Sequence, residues 1–338
     1  MVRRIVVLLV ILIFGFFWGC DFFIASSFPD YLPSVRNIAN LDKYFDKSNP
    51  SDYDIFTIQN NSGDDYVFVL YKPQAGMRKV VVLDSDLSVQ SEYENQNLGS
   101  LHTGYPMPAP TLAAIGSQEM MLNGSFTWNG EINTNLSNDK DHLIFYNEIG
   151  GFFYSLAWSD GFLYWAEYNN GDLSFNNSDS FDLDSSGEEY SIENACFSNN
   201  NTPDPADDRV ILYVRRTSDG EGFAVGMDPN SFPPSGVNTF ALETNPAYQF
   251  GKIKPGSVHI VFGGTGVVLE RDDGTVELYE AFYDTGRGAL YFNKRNETIG
   301  KQFKDRKVAY CLDKPDMYVF DPATKDLFEC TAWWNDGF

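Results

Sequence analysis

Histidine is almost missing from this sequence. Its 338 residues contain three, His102, His142 and His259, widely separated and in no metal-ligand or nucleophile pattern. A metal centre or a histidine-activated nucleophile needs several such groups in concert, so each histidine is expected at the surface or as a hydrogen-bonded structural residue. Basic residues are also few, with 24 lysines and arginines against 47 acids and a net charge of −23. Such a field repels phosphate backbones and anionic headgroups, which excludes nucleic acid as a partner. No apolar run reaches the roughly 20 residues of a spanning helix. The N-terminal apolar run, residues 5–18, is fourteen long. There is no Gly-x-Ser-x-Gly elbow. Gly263-Gly264-Thr265-Gly266 precedes a strand-like segment, so it lacks the helix N-terminus that would hold a phosphate and is expected to be a turn.

What is present begins at the N-terminus. Arg3 and Arg4 precede the apolar run, which ends in Phe17-Trp18-Gly19-Cys20 before Asp21. Charge followed by a short apolar stretch and a small residue is the order of a signal peptide. The last four residues resemble the lipobox of bacterial lipoproteins, with Gly19 and Cys20 matching and Phe17 and Trp18 departing from the usual leucine and small residue. The resemblance implies residues 1–19 as a signal peptide, lipid such as palmitate on Cys20, and a location in the bacterial cell envelope facing the periplasm or exterior. Two or three acyl chains suffice for a stable membrane tether. Cleavage removes Arg3 and Arg4 and no acid, leaving the mature chain near −25.

Residues 20–50 are expected to form the lipid-anchored tether, with at most a short helix, since Val35, Ile38, Leu41 and Phe45 share a helical face. Beyond them, residues 51–338 lose the helical period. Short runs rich in Val, Ile, Phe, Tyr and Trp alternate with Asn, Asp and Gly clusters, which predicts an all-β domain of antiparallel strands. Residues 66–71 and 79–83 form one expected hairpin. Residues 152–158 and 162–168 flank Ser159-Asp160-Gly161, and residues 267–270 and 275–280 flank Asp272-Asp273-Gly274, both strong hairpin signals. Residues 289–293 supply a further strand.

Three segments share a pattern of apolar strand ending in aspartate: Val81-Val82-Leu83-Asp84, Ala224-Val225-Gly226-Met227-Asp228 and Tyr318-Val319-Phe320-Asp321. Aspartate at such a turn accepts a bond from the amide two residues on. The segments divide the domain into about six units of roughly 45 residues, near the length of a propeller blade. Val319-Phe320-Asp321-Pro322-Ala323-Thr324-Lys325 resembles the hairpin of kelch-like and related propeller blades. The expected fold is a β-propeller of about six blades, within a range of five to seven. A β-sandwich, single or doubled, is the alternative.

Cys311 and Cys330 are expected on the first and third strands of the last meander. Next-but-one strands lie roughly 9.6 Å apart, beyond the about 7 Å that a disulfide spans. Buried free thiols are therefore expected at Cys196, Cys311 and Cys330.

Two groups of residues are candidates for binding. Asp182, Asp184, Ser186, Gly187, Glu188 and Glu193 follow the ligand order of an EF-hand-type loop, so calcium is the cofactor to test, against a solvated acidic turn. Trp158, Trp165, Trp333 and Trp334 lie in aromatic clusters that pack between blades or, at the mouth of a central channel, stack on a sugar or peptide. The expected function is a membrane-anchored ligand-binding or protein-interaction scaffold, with a protein or carbohydrate as ligand. A carbohydrate-active hydrolase or lyase with paired carboxylates is the alternative, and an envelope lipoprotein with no small ligand is the third.

Overall fold

A computed structural model describes residues 34–60, 62–95, 98–103, 121–122, 126–127, 141–147, 152–159, 162–169, 175–182, 189–200, 204–231, 248–294, 304–311 and 316–331. The strands are β1 (Ser34–Asn40), β2 (Tyr53–Gln59), β3 (Asp65–Tyr71), β4 (Arg78–Leu83), β5 (Val89–Asn95), β6 (Leu101–Thr103), β7 (Met121–Leu122), β8 (Phe126–Thr127), β9 (Asp141–Asn147), β10 (Phe152–Ser159), β11 (Phe162–Asn169) and β12 (Phe175–Asp182). They continue with β13 (Tyr190–Ser198), β14 (Arg209–Arg216), β15 (Glu221–Met227), β16 (Tyr248–Lys252), β17 (Val258–Val261), β18 (Gly266–Glu270), β19 (Val276–Asp284), β20 (Ala289–Lys294), β21 (Lys307–Tyr310), β22 (Asp316–Asp321) and β23 (Asp326–Thr331).

These strands make five sheets arranged as the blades of a β-propeller. In blade order the sheets run β2-β3-β4-β5, then β6-β9-β10-β11-β12, β13-β14-β15-β16, β17-β18-β19-β20 and finally β21-β22-β23-β1. The innermost strands pack in a closed circuit, β2 on β6, β6 and β9 on β13, β13 on β17, β17 on β21 and β21 on β2. Blade number is thus five rather than six. The reason lies in blade length, because the second and third blades spread over residues 101–182 and 190–252, well beyond the unit inferred from sequence.

Each blade is sandwiched between two others, which explains why its strands are apolar on both faces. In the fifth blade, Ala309, Tyr318 and Phe320 pack with Tyr53, Ile55, Val67 and Val69 of the first. Their sequence neighbours Val308, Met317 and Val319 turn the other way, onto Val261, Val268 and Leu278 of the fourth. Side chains alternate along a strand, so a continuous apolar run fills two interfaces at once. Each such side chain contributes about 1.5–3 kcal/mol when fully buried.

The ring closes through the N-terminal strand. Ser34 pairs with Thr331 and Asn40 with Asp326, making β1 the outermost strand of the last blade. Residues 34–45, expected in the tether, are thus part of the ring, and the expected helical face over residues 35–45 is replaced by a strand followed by a turn that buries Leu41 and Phe45. Their spacing also suits a strand and a turn that pack on the first blade, and tertiary burial decides between the two.

The predicted turns form as aspartate chemistry dictates. Asp84 accepts from the Asp86 amide at 3.1 Å, Asp228 from Asn230 at 2.8 Å and Asp321 from Ala323 at 2.9 Å. The three turns are not equivalent, however. Those after β4 and β15 join third to fourth strands, whereas the one after β22 joins second to third, because the N-terminus supplies the fourth. The stretch at Gly263-Gly264 connects β17 to β18, as expected of a turn. A Cβ on Gly264 would stand 2.3 Å from the Phe197 carbonyl oxygen, so the third and fourth blades meet there only through glycine.

Cys196, Cys311 and Cys330 are buried free thiols. Cys311 follows β21 and Cys330 lies in β23, with β22 between them, and the two pack into different interblade clusters.

Candidate functional site

The innermost strands all begin on one face of the ring, and there they surround a pit of about 220 Å³ on the propeller axis. Deeper along the same strands, between Phe56, Thr57, Ile260, Ala309 and Tyr310, only about 10 Å³ remains. Below the pit the channel is thus filled, in part by β6, which lies parallel to β9 on the axial side of the second blade.

Polar residues enter the pit at the first positions of otherwise apolar strands. Asp54 is second in β2, Asp141 is first in β9, His259 is second in β17 and Lys307 is first in β21; Lys72 follows the end of β3, and His102 comes from β6. Two of these make a bridge between blades. Lys72 Nζ donates to Asp54 Oδ2 at 3.0 Å and to Asp141 Oδ1 at 2.9 Å. Asp54 Oδ1 also accepts from the Ile55 amide at 2.9 Å, and Asp141 Oδ1 accepts from the Ser100 amide at 3.2 Å. Burial pushes both carboxyls up, but the Lys72 ammonium outweighs it and holds both below their usual range. Burial pushes Lys72 down, and the two aspartates more than reverse that.

A β-bulge supplies a third carboxylate. Ile192 pairs with Val214 and Asn194 with Tyr213, leaving Glu193 as the extra residue of β13. A bulge redirects its side chain. Here Glu193 accepts from Arg215 Nε at 2.7 Å and from the Gly256 amide at 2.6 Å, tying the third blade to the loop before the fourth. Asn194 Nδ2 donates to the Val258 carbonyl at 3.0 Å, and Thr57 donates to the Tyr310 carbonyl, so the axis is laced by bonds between blades.

The remaining polar groups are less committed. Lys307 Nζ donates to the Gly256 carbonyl at 3.4 Å. Burial lowers its pKa, Asp54 opposing and Lys72 adding to the effect. Burial, reinforced by the Lys307 charge, lowers His259 to about 3, and burial likewise lowers His102. At neutral pH the pit therefore presents neutral imidazoles beside ammonium groups.

The sequence-predicted candidates are scattered by the fold. Trp158 lines the pit, while Trp165 is buried between the second and third blades. Trp333 and Trp334 lie outside the described residues, as do Cys20, Asp184, Ser186 and Glu188. Asp182 ends β12, and Glu193 stands in the next blade with its carboxylate on Arg215, so the calcium pattern loses its twelfth ligand. Among the described residues no group of three or more His, Cys, Asp or Glu could hold a metal ion. Sequence reasoning missed Lys72, Lys307, Asp54 and Asp141, and set aside His102 and His259. The available signal was one polar residue heading each apolar innermost strand, at irregular intervals.

No protein-family model matches the chain, and no curated protein does. Solved structures similar to it include the β-propeller domain of Cps50 (Swd1) from Myceliophteria thermophila, 12% identical, with 82% of each chain covered and a TM-score of 0.40. The SapL1 lectin in complex with alpha methyl fucoside is 12% identical over 81% of this chain and 91% of that one, with a TM-score of 0.39. The periplasmic gluconolactonase PpgL of Pseudomonas aeruginosa is 14% identical over 73% and 70%, with a TM-score of 0.41. The five-bladed ring itself rests on the sheet order and the circuit of innermost strands.

Proposed function

We propose that this chain is an envelope lipoprotein whose propeller binds a small polar molecule in the axial pit. The observation that carries the binding reading is the pit itself, a hollow of about 220 Å³ on the axis with Lys307, His259 and Trp158 on its walls. Small-ligand sites are concave, few and furnished with a handful of convergent polar groups. Hydrolysis with paired acids is less well supported. Asp54 and Asp141 share Lys72 and are held below the usual carboxylate range, so neither stands ready to hand over a proton at neutral pH, and Glu193 is engaged by Arg215.

The apolar run before Gly19-Cys20 supports anchorage at Cys20. Strand pairing adds an orientation to this reading. Lys307, at the pit, pairs with Phe320, which pairs with Leu327, so β23 begins on the pit face and ends on the opposite one. Ser34 lies beside Thr331 on that opposite face. The upstream segment thus joins the propeller on the face opposite the pit mouth.

Radiolabelled palmitate is expected to enter the wild type and to disappear in Cys20→Ser; equal labelling of both sinks the anchor. Binding is tested by calorimetry of the detergent-solubilised chain against neutral and charged sugars and short peptides. A heat of binding that Ser51→Trp abolishes at the mouth supports the pit, and binding indifferent to that substitution rejects it.

A further inference from the structure

The pit holds two amino groups with opposite situations, and the difference identifies a ligand class. Lys72 is saturated, with two carboxylates within 3.0 Å. Lys307 has a single carbonyl at 3.4 Å, and among the described residues no carboxylate is paired with it. It heads β21, whose blade adjoins that of Asp54, next to His259, in a wall closed below by Val308 and Ala309. Asp54 and Asp141, the carboxylates that act on it, are both held by Lys72, so a carboxylate placed directly on Lys307 makes one of the stronger hydrogen bonds available to a protein.

Resting on the reading of the pit as a binding site, we infer that its ligand carries one carboxylate, which pairs with Lys307 while the ligand's neutral polar groups face His259. The count of charges limits the ligand to a single negative charge. Asp54 and Asp141 already balance Lys72 and Lys307 in the pit, so one carboxylate leaves it negative by one and a dianion would meet further repulsion on a chain of net charge −23. The neutral imidazole of His259 adds a donor or an acceptor and no further positive charge, which suits the hydroxyl or amide of a small acid. Bare phosphate, with two charges near neutral pH, is disfavoured by the same repulsion.

The test uses the detergent-solubilised full chain with glucuronate and glucose, which share a ring and differ by one carboxylate, and with acetate as the bare group. Calorimetry is expected to show glucuronate bound at least tenfold more tightly than glucose. Lys307→Met is expected to remove that preference and Lys307→Arg to keep part of it. In the wild type, glucuronate and acetate are expected to protect Lys307 from acylation by acetic anhydride, read by peptide mass. Equal affinity for the two sugars, or no binding of either acid at millimolar concentration, overturns the carboxylate. If Ser51→Trp blocks the binding that Lys307→Met leaves intact, the pit stands as a site and the carboxylate assignment fails alone.

Discussion

Lys72 Nζ stands 2.9 Å from Asp141 Oδ1, joining the end of the first blade's second strand to the first residue of β9 in the next blade. With Asp54 on its other side, its single charge stands between two acids. The three side chains are part-buried, so removing the lysine strands two acids at a cost towards the lower end of the range of about 3–5 kcal/mol seen for a buried pair. Lys72→Met is therefore expected to lower stability by that order, measured by urea unfolding at neutral pH. The triple variant with Asp54→Asn and Asp141→Asn is expected to recover most of the loss, because it leaves no unpaired charge. A Lys72→Met protein as stable as the wild type rejects the bridge.

The imidazoles of the pit make a separate prediction about pH. His259, facing Lys307 and Asp54, is lowered from 6.5 to about 3, and His102, facing Asp54, Asp141 and Lys72, is lowered as well. Burial is the main cause in both. As pH falls below 6.5 the unfolded chain takes up these protons while the folded chain does not, so their stabilisation is present above 6.5 and is lost as pH falls towards the folded values. Each histidine then contributes a slope of about 1.4 kcal/mol per pH unit. His259→Asn is expected to remove one such slope between about pH 6 and pH 5, above the range where ordinary carboxyls titrate. Unfolding free energies at several pH values measure it. A slope unchanged by the substitution would mean that the ring is open to water.

Much of the architecture was legible in the sequence because hairpins are local. The runs at 66–71 and 79–83 pair as β3 and β4, and those at 267–270 and 275–280 as β18 and β19, with Asp273 accepting from the Thr275 amide at 2.8 Å. Blade number was less legible. Strand β1 joins the last blade across nearly the whole chain, and no local pattern connects Ser34 to Thr331. The site was hardest to see. Lys72, Asp141, His259 and Lys307 come from four different blades, and only ring closure brings them to one axis. Histidines that are isolated along the chain, such as His102 and His259, meet at the same pit.

The N-terminal segment gives the last prediction, since it separates a ring-closing element from a tether. Leu41 is 1% exposed and packs with Tyr53, Ile55 and Phe320, and its amide donates to the Lys325 carbonyl at 2.9 Å. Truncating such a side chain removes its burial and leaves a cavity, so Leu41→Ala is expected to cost about 2–5 kcal/mol. Arg36 lies on β1, just upstream of Leu41, and reaches Glu329 at 2.6 Å, but its side chain is 66% exposed. An exposed pair is screened by water, so Arg36→Ala is expected to change stability by less than about 1 kcal/mol. Urea midpoints of the two variants make the comparison. If Leu41→Ala were as harmless as Arg36→Ala, residues 34–45 would be a tether lying on the propeller. A large gap between them makes this segment the strand that closes the ring and fixes the face from which the upstream chain departs.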